Sequence, residues 1–160
     1  MNSKDVNYFN THQIANIFLK ESQYDLSVIA WMSIVDRNGK IIHSLSSNLT
    51  DDLESKIKRI SLQQAQTSVL LMELSGYEEI NGDLRLLTYK SDLNSRKHLT
   101  IAKGGVPLFN NNLEIVGGIG VFGFATDIEN IYTAMMVAQK AGFVIKDTWL
   151  AVSNATLIFA

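Results

Sequence analysis

Residues 101–123, IAKGGVPLFNNNLEIVGGIGVFG, constrain this chain more than any other stretch. They hold Gly104, Gly105, Gly117, Gly118, Gly120, Gly123 and Pro107, the only proline in the protein. The remaining positions are largely β-branched and aliphatic. Such a mixture predicts two strands, Val106–Phe109 and Leu113–Phe122, joined at Asn110-Asn111-Asn112, because asparagine tolerates the backbone angles of a tight turn. Glycines inside a strand mark a bulge, a bend or a neighbour packed on the backbone. Gly118-Ile119-Gly120-Val121-Phe122-Gly123 also fits the G-x-G-x-x-G dinucleotide pattern. That pattern needs its glycines in a strand-to-helix turn, with the helix opening at once. Here they lie within the apolar run and the helix signal waits until Thr126, so Gly118 and Gly120 are read as structural.

The rest of the chain supplies partners for this hairpin. Ile14, Ile17 and Phe18 form an apolar stripe on a helix from Asn10 or Thr11 to about Gln23. Ser27 to Asp36 is an almost wholly apolar strand, as expected of one covered on both faces. Arg37-Asn38-Gly39-Lys40 turns it back along Ile41 to Leu45, Asn-Gly being the strongest short hairpin signal. His43 falls on this return strand and is read as exposed or half-exposed.

Thr50 to about Ser75 is predicted as the longest helix, with Asp51 and Asp52 in its first turn and Gly76 as its terminating glycine. It shows two apolar stripes, one through Leu53, Ile57, Ile60 and Leu71, the other through Leu62, Ala65, Val69 and Met72. Gln64, Thr67 and Ser68 interrupt the first, either as small polar residues at a helix–sheet seam or as groups that reach a ligand. Tyr77 to Gly82 is read as a loop and Leu84 to Tyr89 as a strand. Thr126-x-x-Glu129 is a capping box opening a helix faced by Ile128, Ile131, Tyr132, Met135 and Ala138, with stop signals at Lys140 and Gly142. Thr148 to Ala160 is an apolar tail that must be buried in its own sheet or against a partner.

Gly104-Gly105-Val106-Pro107-Leu108, the turn, Val116 to Gly123 and Asp127 together resemble the signature of the GlcG/HbpS-like (haem-degrading, PduO C-terminal) family. Ile34-Val35-Asp36-Arg37-Asn38-Gly39 and Gln64-Ala65-Gln66-Thr67-Ser68 resemble two further motifs of that family, with Gln64 where the family pattern has lysine. The similarity spans about Ser27 to Asp127. It implies one domain over 1–160, with about 143–160 as an extension beyond the match. It implies a profilin-like α+β fold, an antiparallel sheet flanked by helices, with a roadblock-type domain as the structural alternative.

The chain has 160 residues, 46% hydrophobic and 19% charged, with a net charge of −2. That balance gives no electrostatic pull towards nucleic acid or acidic lipid. Cysteine is absent, which excludes disulfides and thiolate chemistry and fits a reducing compartment. No secretory signal or membrane-spanning stretch is seen, so a cytoplasmic protein is expected.

Catalytic constellations are scarce. His12, His43 and His98 are scattered, and no zinc or serine-triad pattern occurs. The backbone amides at Lys103-Gly104-Gly105 offer an anion-binding concavity, with Lys103 adding charge; a tight turn into the strand would demand the same glycines. The resemblance implies a module that binds haem or another tetrapyrrole, held near Lys103, Gly104, Gly105 and Pro107. His98 or His43 would serve as axial donor, Arg96 and Lys97 would add charge, and the two glycine-rich strands would wall the ring. The alternative is a non-catalytic subunit that assembles as a homo-oligomer through its helix faces and tail. An enzyme acting on haem or a small acid stays open as a third reading.

Overall fold

The computed structural model describes residues 11–24, 28–48, 55–87 and 99–152. Its elements are α1 (Thr11–Glu21), β1 (Trp31–Asp36), β2 (Ile41–Ser46), α2 (Ser55–Leu71), β3 (Tyr77–Ile80), β4 (Asp83–Leu86), β5 (Gly105–Phe109), β6 (Ile115–Phe122) and α3 (Asp127–Lys140). Residues 147–152 are also helical. The main sheet has the order β2-β1-β6-β5 with every pairing antiparallel. β3 and β4 form a separate two-stranded hairpin. Helix α2 covers one face of the sheet; α1 and α3 pack together on the other. The result is the expected α+β architecture. Among the described residues, no helix is long and apolar enough to cross a membrane.

The two faces of the sheet are built differently. Towards α1 and α3, strand alternation sends Met32, Ile34, Val106, Leu108, Ile119 and Val121 into one core with Ile14, Phe18, Ile131 and Met135. All six strand residues are fully buried. Towards α2, the same strands present Ser33, Val35, Gly105, Pro107, Gly118 and Gly120. A Cβ on Gly120 would stand 2.0 Å from the Ser61 carbonyl oxygen, one on Gly105 2.2 Å from that of Gln64, and one on Gly118 2.8 Å from that of Ala65. The strand glycines therefore admit the backbone of α2 itself. They carry no cofactor turn, since α3 opens only at Asp127.

Helix α2 answers with small and polar residues. Ser61, Gln64, Ala65 and Ser68 recur at helical spacing and are fully buried, as is Thr67. Of the expected apolar stripes, Ala65 and Val69 are buried with Val35, and Leu62 is half-buried against them. Ile57 and Ile60 are only half-buried, and Leu71 is exposed. Leu53, Asp51 and Asp52 lie outside the described residues.

Three further expectations are corrected. The helix ends at Leu71, with Met72 taking a left-handed φ of 53°, so Gly76 does not terminate it. Gly76 is needed for another reason, since its missing Cβ makes room for the Ile101 carbonyl oxygen and the Lys103 side-chain stem. Tyr77 to Gly82 is no loop, because Tyr77–Ile80 pairs with Asp83–Leu86. Its Asn81-Gly82 turn has positive φ at both residues, the arrangement that a two-residue hairpin needs.

The other elements follow expectation, except that Leu113 has a positive φ of 61° and belongs to the turn, so that β6 begins at Ile115; of the expected tail, residues 153–160 lie outside the described residues. α1 buries Ile14 and Phe18. Asp36 Oδ1 accepts from the amides of Asn38 and Lys40 and fixes the first hairpin. Thr126 caps α3, its Oγ1 accepting from the Glu129 amide and donating to the Glu129 carboxylate. Trp149 is completely buried, its ring stacked on Phe109 at 6.2 Å.

Candidate functional site

The Gly104-Gly105 turn sits where β5 begins, at the edge of the sheet opposite β2. Its backbone is held by two side chains from α2 and the loop after it. Gln64 Nε2 donates to the Lys103 carbonyl at 3.0 Å. The Gly105 amide donates to Ser75 Oγ at 2.8 Å, and Ser75 Oγ donates to the Ala102 carbonyl at 2.6 Å. The Ser75 amide closes the loop on the Gly105 carbonyl at 3.0 Å. Gly104 has a φ of 139°, and a Cβ there would stand 2.2 Å from the Val121 carbonyl oxygen. These glycines are thus required by backbone approach. The Gly105 amide, already bonded to Ser75, is spent as an anion donor.

What the turn presents is a small cluster of side chains. Lys103 Nζ stands 3.9 Å from Asp127 Oδ2 in the first turn of α3. Both groups are partly solvated, so this pair stabilises by at most about 1 kcal/mol. Asp127 also acts on Tyr77. Burial first, and the Asp127 charge second, raise the Tyr77 phenol above its ordinary value of 10.0. A phenol so placed stays protonated at neutral pH, a hydrogen-bond donor and not a base. Behind the cluster, Asn130 Oδ1 accepts from the Phe124 amide at 3.0 Å. Gln64 Oε1 is buried with no hydrogen-bond partner among the described residues.

The structure brings Lys103, Gly104, Gly105 and Pro107 to one edge, with Pro107 buried in β5 opposite Gly118. It does not bring His43 there. His43 is exposed on β2 and heads the row His43–Ile34–Ile119–Val106, three inter-strand steps or about 14 Å from β5. Arg96, Lys97 and His98 lie outside the described residues. Sequence reasoning overlooked Tyr77 because it took residues 77–82 for a loop, and Ser75 because it placed that residue at the end of the long helix, which stops at Leu71. The Asn81-Gly82 pair was the available signal for the hairpin that positions Tyr77.

No family model matches this sequence, and no curated protein matches it either. Solved structures do match. The PduOC–haem complex superimposes with a TM-score of 0.68 at 17% identity, covering 86% of this chain and 95% of that one. The Klebsiella pneumoniae protein ORFY, of family DUF336, gives 0.64 at 22% identity over 82% and 86%. A double mutant of Streptomyces reticuli HbpS gives 0.62 at 18% identity over 82% and 83%. The fold is that of the GlcG/HbpS-like family.

One expectation tied to that family meets an obstacle in the packing. The strand residues that were to wall a flat ring, Val106, Leu108, Ile119 and Val121, lie beneath α1 and α3 with no exposed surface. A tetrapyrrole does not fit against them. Among the described residues, no group of three or more histidine or acidic side chains is placed to hold a metal ion.

Proposed function

We propose that this protein is a small-molecule-binding module of the GlcG/HbpS-like type, acting as a homo-oligomer in the cytoplasm, with haem or a related tetrapyrrole as ligand. The observation that carries this reading is the GlcG/HbpS-like fold, shared over most of both chains with PduOC, a protein solved with haem. The chain's own residues support it more narrowly. Iron needs an axial donor, and without cysteine the best one is histidine. His43 stands exposed on an edge strand, and His98 falls in the segment just before the glycine turn. Lys103, Arg96 and Lys97 are suited to carboxylates such as propionates. Because the strand wall is covered, the ring would lie outside the sheet, against His43 or the 88–98 segment.

Titration with haemin tests this. A saturable Soret shift with about one site per chain is expected, weakened by His43→Ala or His98→Ala. A haemin spectrum unchanged by the protein, or unaffected by both substitutions, overturns it.

A non-catalytic assembly subunit is the second reading. It is favoured by the bonded Gly105 amide and by the exposed side chains of Leu70, Leu71 and Met72 around the end of α2. Light scattering should then give a multiple of 17.8 kDa without added ligand. A monomer mass at micromolar concentration sinks both this reading and the oligomer in the first.

A further inference from the structure

We propose that a cleft beside the C-terminal end of α2 binds a small organic ammonium, a primary amine carried on an apolar stem, with Glu73 as its counter-ion. The cleft encloses about 380 Å³, within the range of small-molecule sites. It shares Tyr77 with the cluster at the glycine turn but not the turn itself, and the inference does not rest on the haem reading.

Glu73 sets the chemistry. Its side chain lines the cleft yet is only 6% exposed. Both of its hydrogen bonds fall on Oε1, from the Leu74 amide at 3.0 Å and from the Trp149 indole N–H. No described residue donates to Oε2, and Glu73 forms no ion pair among the described residues. Oε2 is not among the fully buried atoms without a partner, so it is open to a cation entering the cleft. Glu78 and Glu79, exposed on β3, line the same cleft and add to its negative field.

Among the described residues, the one cation lining the cleft is engaged elsewhere. Lys146 Nζ lies 5.5 Å from the Phe109 ring centre and 5.6 Å from that of Trp149. Neither ring lines the cleft, and Lys146 makes no ion pair with Glu73. The stem of the ligand meets Leu71, Met72 and Leu87. Met72, unbranched and polarisable, adapts to different stems. An anionic ligand is repelled by three carboxyls against one ammonium.

The test uses n-hexylamine, with n-hexanol as its uncharged counterpart. Calorimetry on the wild-type protein should show saturable amine binding at least tenfold tighter than alcohol binding. In Trp31→Phe, which leaves Trp149 as the only tryptophan, the amine should change the fluorescence saturably. Glu73→Gln should weaken the amine at least tenfold and leave the alcohol unchanged. Lys146→Met, which removes a like charge from the lining, should tighten the amine several-fold. Equal affinity for amine and alcohol, or no saturable amine binding, overturns the proposal. If Glu73→Gln does not fold, Lys146→Met decides: an affinity equal to wild type rejects the site.

Discussion

The two faces of the central sheet reach full burial by opposite means. Under α1 and α3, branched aliphatic side chains fill the gap between layers. Under α2, the gap is removed: glycines on β5 and β6 let the helix backbone approach until carbonyl oxygens nearly touch the strands. One face is sensitive to lost volume, the other to added volume. The same strand, β6, serves both, with Ile119 turned one way and Gly118 and Gly120 the other.

The largest expected effect comes from breaking the close-approach face. Gly120→Val places carbon about where the Ser61 carbonyl oxygen sits. Neither backbone can yield cheaply, so a loss of at least about 4 kcal/mol is expected. Thermal denaturation followed by circular dichroism should show a fall of roughly 10 °C or more. A wild-type melt would mean that α2 does not lie on this strand.

Its neighbour tests the other face. Ile119→Ala opens a cavity in the aliphatic core and should cost about 3 kcal/mol in urea unfolding. A cost below about 1 kcal/mol would show that the core can collapse around the change, and the contrast between faces would lose its basis.

A smaller effect is expected at Ser33. Its Oγ lies 2.7 Å from Ser44 Oγ and 2.6 Å from Ser61 Oγ, linking both strands of the first hairpin to the helix. Ser33→Ala leaves those hydroxyls short of a partner and should cost about 1–2 kcal/mol. If instead it stabilises the protein, the polar links on this face are dispensable and close approach alone holds α2.

The smallest effect is a pH dependence on the aliphatic side, where Tyr77 packs against the core. Its pKa is raised in the folded state. The neutral phenol is the form that folding favours. Its contribution is therefore complete below the unfolded value of 10.0 and is lost as pH rises through the higher folded value. Stability measured from about pH 9 to 11 should fall more steeply in wild type than in Tyr77→Phe. Parallel curves would remove Tyr77 from the Asp127 cluster.

Much of the close-approach face was legible in the sequence. Glycines in an apolar strand, matched by small residues in a helix, leave few other readings. Gln64, Thr67 and Ser68 are legible as a helix–sheet seam, but their polarity leaves a ligand-directed reading beside it, and Ser61 gives no signal of its own. The close approach of α2 to the glycines of β5 and β6 decides for the seam. The β3–β4 hairpin was missed because Glu78 and Glu79 are poor strand formers and outweighed Asn81-Gly82. The end of α2 was misplaced because Gly76 looked like a stop signal, whereas Met72 takes the left-handed turn itself. The Lys103–Asp127–Tyr77 cluster could not be read in advance. Its members come from three separate parts of the chain, and only the folded sheet brings them together.

The seam beneath α2 has a mechanical consequence. Interlocking side chains fix a helix as teeth fix a gear, because sliding by one residue creates clashes. A helix resting on glycine has almost no teeth. Its position along the strands is set by a few directional bonds: Ser61 to Ser33, Gln64 to the Lys103 carbonyl, and Thr67 to the Thr100 amide. Those bonds act as pins on a smooth rail, helped by the packed contact of Ala65 and Val69 on Val35. Removing a pin would leave α2 attached while loosening its grip on axial position.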